Sequence, residues 1–287
     1  MLAQGKIIAE KLNEELNKKL LGKNKSVCFV VFGEDPATEQ FVNMKLRLAQ
    51  KTGIDANVSK YNTDSSFSEM KKIIEDEVLK KPDGIVVQLP LPKSVNAQDV
   101  LNLVPVSMDI DVLSEDAKEQ FVKGLSEKTP PVARAVFEIL NFYNVSMFEK
   151  KVLVIGSGRL VGEPVALMLK NRKIPFDQVD IASPTETKNS LMKDADIIIT
   201  GAGDPLFIKP EMIKDGVVLI DAGTSESEGR IVGDVDPSCF EKASLVTPVP
   251  GGVGPVTLSS LFLNLFDLDT VNHFSINSKH EMRNPKK

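Results

Sequence analysis

The sequence predicts an α/β fold built on parallel sheets, and three observations carry that prediction. Short unbroken apolar runs recur along the chain, among them Ser26–Phe32 (SVCFVVF), Gly84–Val87 and 151–156 (KVLVIG). Runs of strand length without alternation suit strands covered on both faces. Segments with apolar residues at helical spacing separate them, giving the order βαβαβ in the first half. In the second half, successive strands end in small residues: Gly156, then Gly201-Ala202-Gly203, then Ala222-Gly223. Small residues in those places suit a dinucleotide lying across the carboxyl ends of a doubly wound parallel sheet.

With 287 residues the chain can form one large domain or two ordinary ones. Apolar residues make up 42% and charged residues 26%, the balance of a soluble globular protein. The net charge of −5 supplies no basic footprint, so neither nucleic acid nor an anionic membrane is an expected partner. Cys28 and Cys239 lie far apart in or beside apolar sequence, which predicts buried free thiols, no metal pair and a reducing cytoplasm. The N-terminal segment mixes Glu and Lys with apolar residues, unlike a signal peptide or a membrane span. Both histidines, His273 and His280, fall in the polar C-terminal stretch, so chemistry is expected from lysine, carboxylate, amide and backbone groups.

Ile7, Ile8, Leu12, Leu16 and Leu20 form a helical stripe that Gly22 closes. After the strand at Ser26–Phe32, Asp35 and Pro36 read as N-cap and first residue of a helix that ends at Gly53; it carries Phe41 and Lys45 on one face. A strand over 56–61, a helix from Ser66 and a strand over 84–87 follow. Gln88-Leu89-Pro90-Leu91-Pro92 leaves that strand with two prolines that forbid helix, fixing Gln88 at the carboxyl end of the sheet. Residues 96–103 read as a short helix, and Asp109 and Asp111 as two carboxylates on one side of an extended segment. The polar stretch 115–128 reads as the passage between domains.

A helix over 130–144 with Val132, Val136, Ile139 and Leu140 inward leads to a strand ending at Gly156. Gly156-Ser157-Gly158-Arg159-Leu-Val-Gly162 then opens a helix, and a glycine-rich turn at a helix N-terminus is a phosphate site. Strands are expected over 178–181, 195–200, 216–221 and, after a turn at Ser227 to Gly229, 231–236; the tail from Asn277 reads as disordered. In 244–263 (SLVTPVPGGVGPVTLSSLFL) a strand gives way to a loop of three prolines and three glycines, then a helix. Such a loop presents bare backbone to a ligand in one set conformation.

These pieces resemble the bifunctional methylenetetrahydrofolate dehydrogenase/methenyltetrahydrofolate cyclohydrolase family. Phe41-Val-Asn-Met-Lys45-Leu-Arg47 through Gly53-Ile54 matches its lysine motif, Gln88 to Pro92 its QLPLP motif, and Met108-Asp-Ile-Asp111-Val112 its KDVDG motif. Its PGGVGPxT signature stands at Pro250 to Thr257 and VGDVD at Val232 to Asp236, so the likeness runs from about Gly5 to Asp267. The resemblance implies two α/β domains with a cleft between them: residues 1–125 with 258–287 binding folate, and 126–257 as a Rossmann-type domain. It further implies a homodimer, with Lys45, Gln88 and Asp111 as catalytic residues. Phe41, Leu89, Pro90, Pro250, Gly251 and Gly252 would line the folate. Gly156, Ser157, Gly158, Arg159, Gly162, Ala202, Gly223 and Thr224 would hold NADP, or alternatively NAD; no metal is implied.

The chemistry agrees. In 5,10-methylenetetrahydrofolate the bridging carbon lies between two nitrogens, so loss of hydride gives a shared cation and needs no proton removal at that step. Hydrolysis of the methenyl form does need proton transfer, for which a desolvated lysine serves. The chain departs from the family pattern at Phe41 (tyrosine), Met108 (lysine) and Val112 (glycine), and PCTPxG survives only as Pro130-Pro-Val-Ala-Arg-Ala135. Ser157 stands where the family arginine meets the NADP 2′-phosphate, with Arg159 nearby and Asp180 placed to take a ribose hydroxyl of NAD. The departures leave two narrower readings open, a dehydrogenase with weak or lost cyclohydrolase and a non-catalytic folate or nucleotide sensor.

Overall fold

The computed structural model describes residues 1–266 apart from 63, 228 and 229. The histidines His273 and His280, the tail from Asn277, residues 267–287 of the expected folate domain and the tip of the turn at Ser227 to Gly229 lie outside the described residues.

Helix α1 (Gly5–Leu20) buries Ile8, Leu12, Leu16 and Leu20, whereas Ile7 falls off that stripe and is exposed. Strand β1 (Ser26–Phe32) is buried along most of its length. Helix α2 (Pro36–Thr52) starts where Asp35 accepts the Thr38 N–H at 2.8 Å and stops at Gly53, whose φ of 77° suits glycine. Strand β2 (Asp55–Tyr61), helix α3 (Phe67–Leu79) with a capping box between Ser66 and Glu69, and strand β3 (Gly84–Val87) complete a parallel sheet of order β2-β1-β3.

Helix α4 (Ala97–Leu101) is followed by α5 (Glu115–Val122), which occupies the stretch read from sequence as a polar passage. Its helicity comes from the Ser114 cap and acidic residues in the first turn, while only Ala117 and Phe121 are buried, too few to set a visible period. In α6 (Pro131–Phe142), Val136, Ile139 and Leu140 are buried and Val132 partly so.

The second sheet is parallel throughout, in the order β10-β7-β6-β4-β5. The chain there runs through β4 (Val152–Ile155), α7 (Gly162–Asn171), β5 (Asp177–Val179), α8 (Thr185–Asp194), β6 (Ile197–Thr200), β7 (Val218–Asp221), β8 (Ser225–Ser227) and β9 (Arg230–Val232), which form a separate antiparallel pair, and β10 (Leu245–Val246). Strand β5 ends at Val179, and Ile181, expected inside it, is 97% exposed because the chain turns at Asp180 to Ser183. The run expected as one strand to Asp236 breaks at Gly233, where a Cβ would lie 2.0 Å from Asp221 Oδ2. The strand order reverses direction between β4 and β6, which makes that junction the place where such sheets bind ligands.

Helix α9 (Val253–Leu263) joins the halves. It is largely apolar and mostly buried, and it packs between α1 and α6. Across the halves Lys118 of α5 also pairs with Glu163 of α7 at 2.8 Å. Residues 1–3 run beside β10, with Ala3 N–H donating to the Val246 carbonyl at 2.7 Å. Gly5 then meets the proline-glycine loop so closely that a Cβ there would stand 1.7 Å from the Gly252 carbonyl oxygen.

That contact makes Gly5→Ala an overpacking substitution, expected to cost about 1–3 kcal/mol and to displace the loop at 251–252. Chemical denaturation checks it; an unchanged midpoint would contradict the contact.

Candidate active site

Lys45 lies mid-way along α2 and reaches over the carboxyl end of the first sheet. Its Nζ donates to Gln88 Oε1 at 2.8 Å and lies 5.6 Å from the centre of the Phe29 ring on β1. Gln88, 9% exposed, is held in turn by its Nε2 donating to the Leu89 carbonyl at 2.7 Å, so its amide is oriented with oxygen toward the lysine. Phe29 packs edge-on against Phe262 of α9, which carries the floor of the site down to the helix that joins the halves. Burial pushes the Lys45 ammonium below the ordinary lysine range, partly offset by the Asp111 carboxylate. Burial also pushes Asp111 up, opposed by Lys45 and reinforced by Asp109. Lys45, Gln88 and Asp111 therefore form one cluster, with the amine and the carboxylate both biased toward their neutral forms.

Asp109 and Asp111 do not share an extended segment. Asp109 turns inward and accepts the backbone N–H groups of Asp111, Val112, Leu113 and Ser114, plus the Ser114 hydroxyl at 2.7 Å. The chain wraps around that one carboxylate, with Val112 at φ 55°, and the wrapping aims Asp111 at the lysine instead. Phe41 is half-buried, one helical turn before Lys45. Leu89 is half-buried and Pro90 exposed; Pro90, Leu91 and Pro92 border a groove of about 400 Å³ together with Phe32, Asp35 and Thr38.

The wall at 250–252 is set by its own backbone. Gly251 is exposed at φ 107°, while Gly252 is buried, with no room for a Cβ between Thr247 and the Pro248 carbonyl. Pro250 is exposed beside them, and Gly5 N–H donates to the Gly251 carbonyl at 3.1 Å. The wall thus bonds to Gly5 and to itself rather than to the lysine cluster.

At the second sheet, Gly156 has φ 104°, and a Cβ on Gly162 would stand 2.1 Å from the Gly156 carbonyl oxygen. Those two glycines let turn and helix close on each other, while Gly158 faces open space. Arg159 and Ser157 border a crevice of about 680 Å³ against α5. Ala202, Gly223 and Thr224 follow β6 and β7; Thr224 is exposed, and the other two are tied down by carboxylates the sequence reading did not assign. Asp234 accepts the Ala202 N–H and the Thr200 hydroxyl, each at 2.7 Å, and the Asp204 N–H at 3.2 Å. Asp221 accepts from the Gly223, Asp234 and Val235 N–H groups, and burial pushes its carboxyl up to about 6. Two carboxylates in or beside VGDVD and at a strand end were the available signal. Cys28 and Cys239 are buried free thiols, among the described residues no metal-binding group occurs, and no helix there is long and apolar enough to cross a membrane.

Residues 3–111 match the family model described as tetrahydrofolate dehydrogenase/cyclohydrolase, catalytic domain, and residues 130–273 match that family's NAD(P)-binding domain. The bifunctional protein FolD of Mycoplasmopsis synoviae is 36% identical over 270 residues, covering 90% of this chain and 94% of its own. The solved FolD methylenetetrahydrofolate dehydrogenase/cyclohydrolase of Campylobacter jejuni superimposes with a TM-score of 0.85 at 30% identity, over 92% of this chain and 96% of its own. The Trypanosoma brucei enzyme, solved with NADP and an inhibitor, gives a TM-score of 0.85 at 28% identity over 92% and 95% of the two chains.

Replacing Asp234 with alanine leaves the Thr200 hydroxyl and two backbone N–H groups without their shared acceptor. The expected cost is about 3 kcal/mol, with looser nucleotide binding. Urea denaturation with a nucleotide titration checks both, and a variant as stable as wild type would contradict the assigned role.

Proposed function

The chain belongs to the tetrahydrofolate dehydrogenase/cyclohydrolase family, and on that premise we propose that Lys45, Gln88 and Asp111 form the centre at which its folate substrate reacts. The protein oxidises 5,10-methylenetetrahydrofolate to 5,10-methenyltetrahydrofolate with NADP, or alternatively NAD, and hydrolyses the methenyl form to 10-formyltetrahydrofolate. The observation that supports the residue assignment is the bond from Lys45 Nζ to Gln88 Oε1 at 2.8 Å, with the amine pushed toward neutrality by burial.

The dinucleotide fits the second sheet, where Gly156 and Gly162 pack tightly and Gly158 leaves space for a phosphate. When bound, it supplies the hydride acceptor. In this reading Gly156, Ser157, Gly158, Arg159 and Gly162 hold the phosphates and adenosine, while Ala202, Gly223 and Thr224 border the rest. Oxidation asks only for positioning: Pro250, Gly251 and Gly252 wall one side of the folate, Phe41, Leu89 and Pro90 the other, and Asp111 holds the pterin.

Hydrolysis asks for a proton acceptor. Neutral Lys45, held by Gln88, takes a proton from water as the water oxygen bonds to the methenyl carbon. The Lys45 ammonium then returns that proton to the ring nitrogen as the bond between that nitrogen and the carbon breaks, and the remaining hydroxyl proton leaves to solvent as the C=O forms, so that the formyl group stays on the other nitrogen. Phe41 keeps a ring for stacking but has no hydroxyl to orient the lysine or the water, so hydrolysis is the weaker of the two activities. The same reading divides the chain into 1–125 with 258–287 and 126–257. It takes the protein to be a cytoplasmic homodimer; two buried free thiols support the compartment.

Lys45→Met is expected to lower hydrolysis by about 10²–10⁴-fold while oxidation falls far less. Equal losses in both assays would refute the division of labour. Hydrolysis by the wild type should rise with pH as Lys45 gives up its proton, on a limb displaced below the ordinary lysine range, and Lys45→Arg should lose that limb. Phe41→Tyr should speed loss of the methenyl absorbance more than it speeds nucleotide reduction.

A further inference from the structure

The carboxyl end of β5 carries an acidic group that the proposed chemistry leaves unused. Strand pairing sets Ile155 beside Val179, and the Gly156 N–H donates to the Val179 carbonyl at 2.8 Å. Asp180 and the first glycine of the turn therefore leave the sheet as neighbours. Asp180 is half-buried; its Oδ2 accepts the Ser157 hydroxyl at 3.0 Å and its Oδ1 accepts the Ala182 N–H at 3.0 Å. The Asp180 N–H donates to Ser183 Oγ at 3.0 Å, which fixes the backbone beneath the side chain. Ser157 first, then these neighbours, hold the carboxyl below the ordinary range, so it is ionised at neutral pH. Its hydrogen-bond partners are serines and backbone, and among the described residues no lysine or arginine pairs with it. Arg159 instead borders the crevice against α5 with Lys118 and Glu163.

The adenosine ribose of a dinucleotide seated on such a turn meets the end of the neighbouring strand. A carboxylate there accepts a hydrogen bond from a free 2′-hydroxyl and repels a 2′-phosphate, which brings two further acceptor charges and no donor. We infer that Asp180, oriented by Ser157, opens the dinucleotide site to NAD by binding the ribose 2′-hydroxyl and works against the 2′-phosphate of NADP, so that the chain takes NAD at least as readily as NADP. Asp180 is thereby a specificity-determining residue, an assignment that rests on the dinucleotide reading of the glycine-rich turn.

Binding is tested apart from turnover. The purified full-length protein is titrated with NADH and with NADPH by nucleotide fluorescence, and kcat/KM for NAD and NADP is measured with methylenetetrahydrofolate. The expected result is a Kd for NADH no larger than that for NADPH. Asp180→Asn, which keeps the shape of the side chain and its acceptor for the Ala182 N–H, should shift the ratio of the two constants toward NADPH by about tenfold. Asp180→Ser should shift it in the same sense, and kcat/KM should follow. Tighter binding of NADPH than NADH by the wild type, or a ratio that stays within twofold in both variants, overturns the inference. Binding of neither nucleotide overturns it together with the dinucleotide site. The expected binding ratios without any turnover of methylenetetrahydrofolate would support Asp180 and count against the dehydrogenase reading alone.

Discussion

The burial of α9 along most of its length is the constraint on which the rest of the structure depends. A helix so largely apolar is unsuited to a surface, so α1 and α6 close over it, and the two halves are held by one shared core. Its first residue follows directly on Gly252, which fixes the proline-glycine wall at one end. Further along, Phe262 packs against Phe29, the ring beneath the Lys45 amine. One largely apolar element thus sets the positions of a wall from one side and a floor from the other.

Three buried carboxylates do for the loops what α9 does for the helices. Asp109, Asp221 and Asp234 each accept several backbone N–H groups from chain that leaves a strand end. A buried carboxylate is costly unless its oxygens are saturated, and backbone donors saturate them only when the loop adopts one conformation. The geometry at both strand-end sites is accordingly fixed before any ligand arrives, which is the condition for positioning catalysis.

Much of this was legible in the sequence because it is written in residues with local meaning. Asp35, Pro36 and Gly53 bound α2 as caps do, and the continuous apolar runs are the parallel strands. Lys45, Gln88 and Asp111 were identifiable from motif order, and the structure brings them into one cluster. What could not be read depends on distance or on weak pattern. Asp109 read as sharing one side of an extended segment with Asp111, because nothing local says that the next five residues will fold back onto it. Phe29 looked like any core aromatic. Helix α8 buries only Met192, so its sequence carried no period, and Ile181 looked like strand because a short edge strand ends without a breaker.

The pairing of Ala3 with Val246 has a bearing on how the chain is assembled in time. On the ribosome, the segment that borders the second sheet emerges long before its partner strand β10. The first sheet can pair from its own neighbours, but the edge beside β10 stays open until β10 itself has emerged, a long-range closure. Because Gly5 presses on Gly252 from that same segment, the backbone of the proline-glycine loop meets its packing partner only once residues far apart in the chain have come together, after Lys45 and Gln88 already lie within reach of each other in sequence.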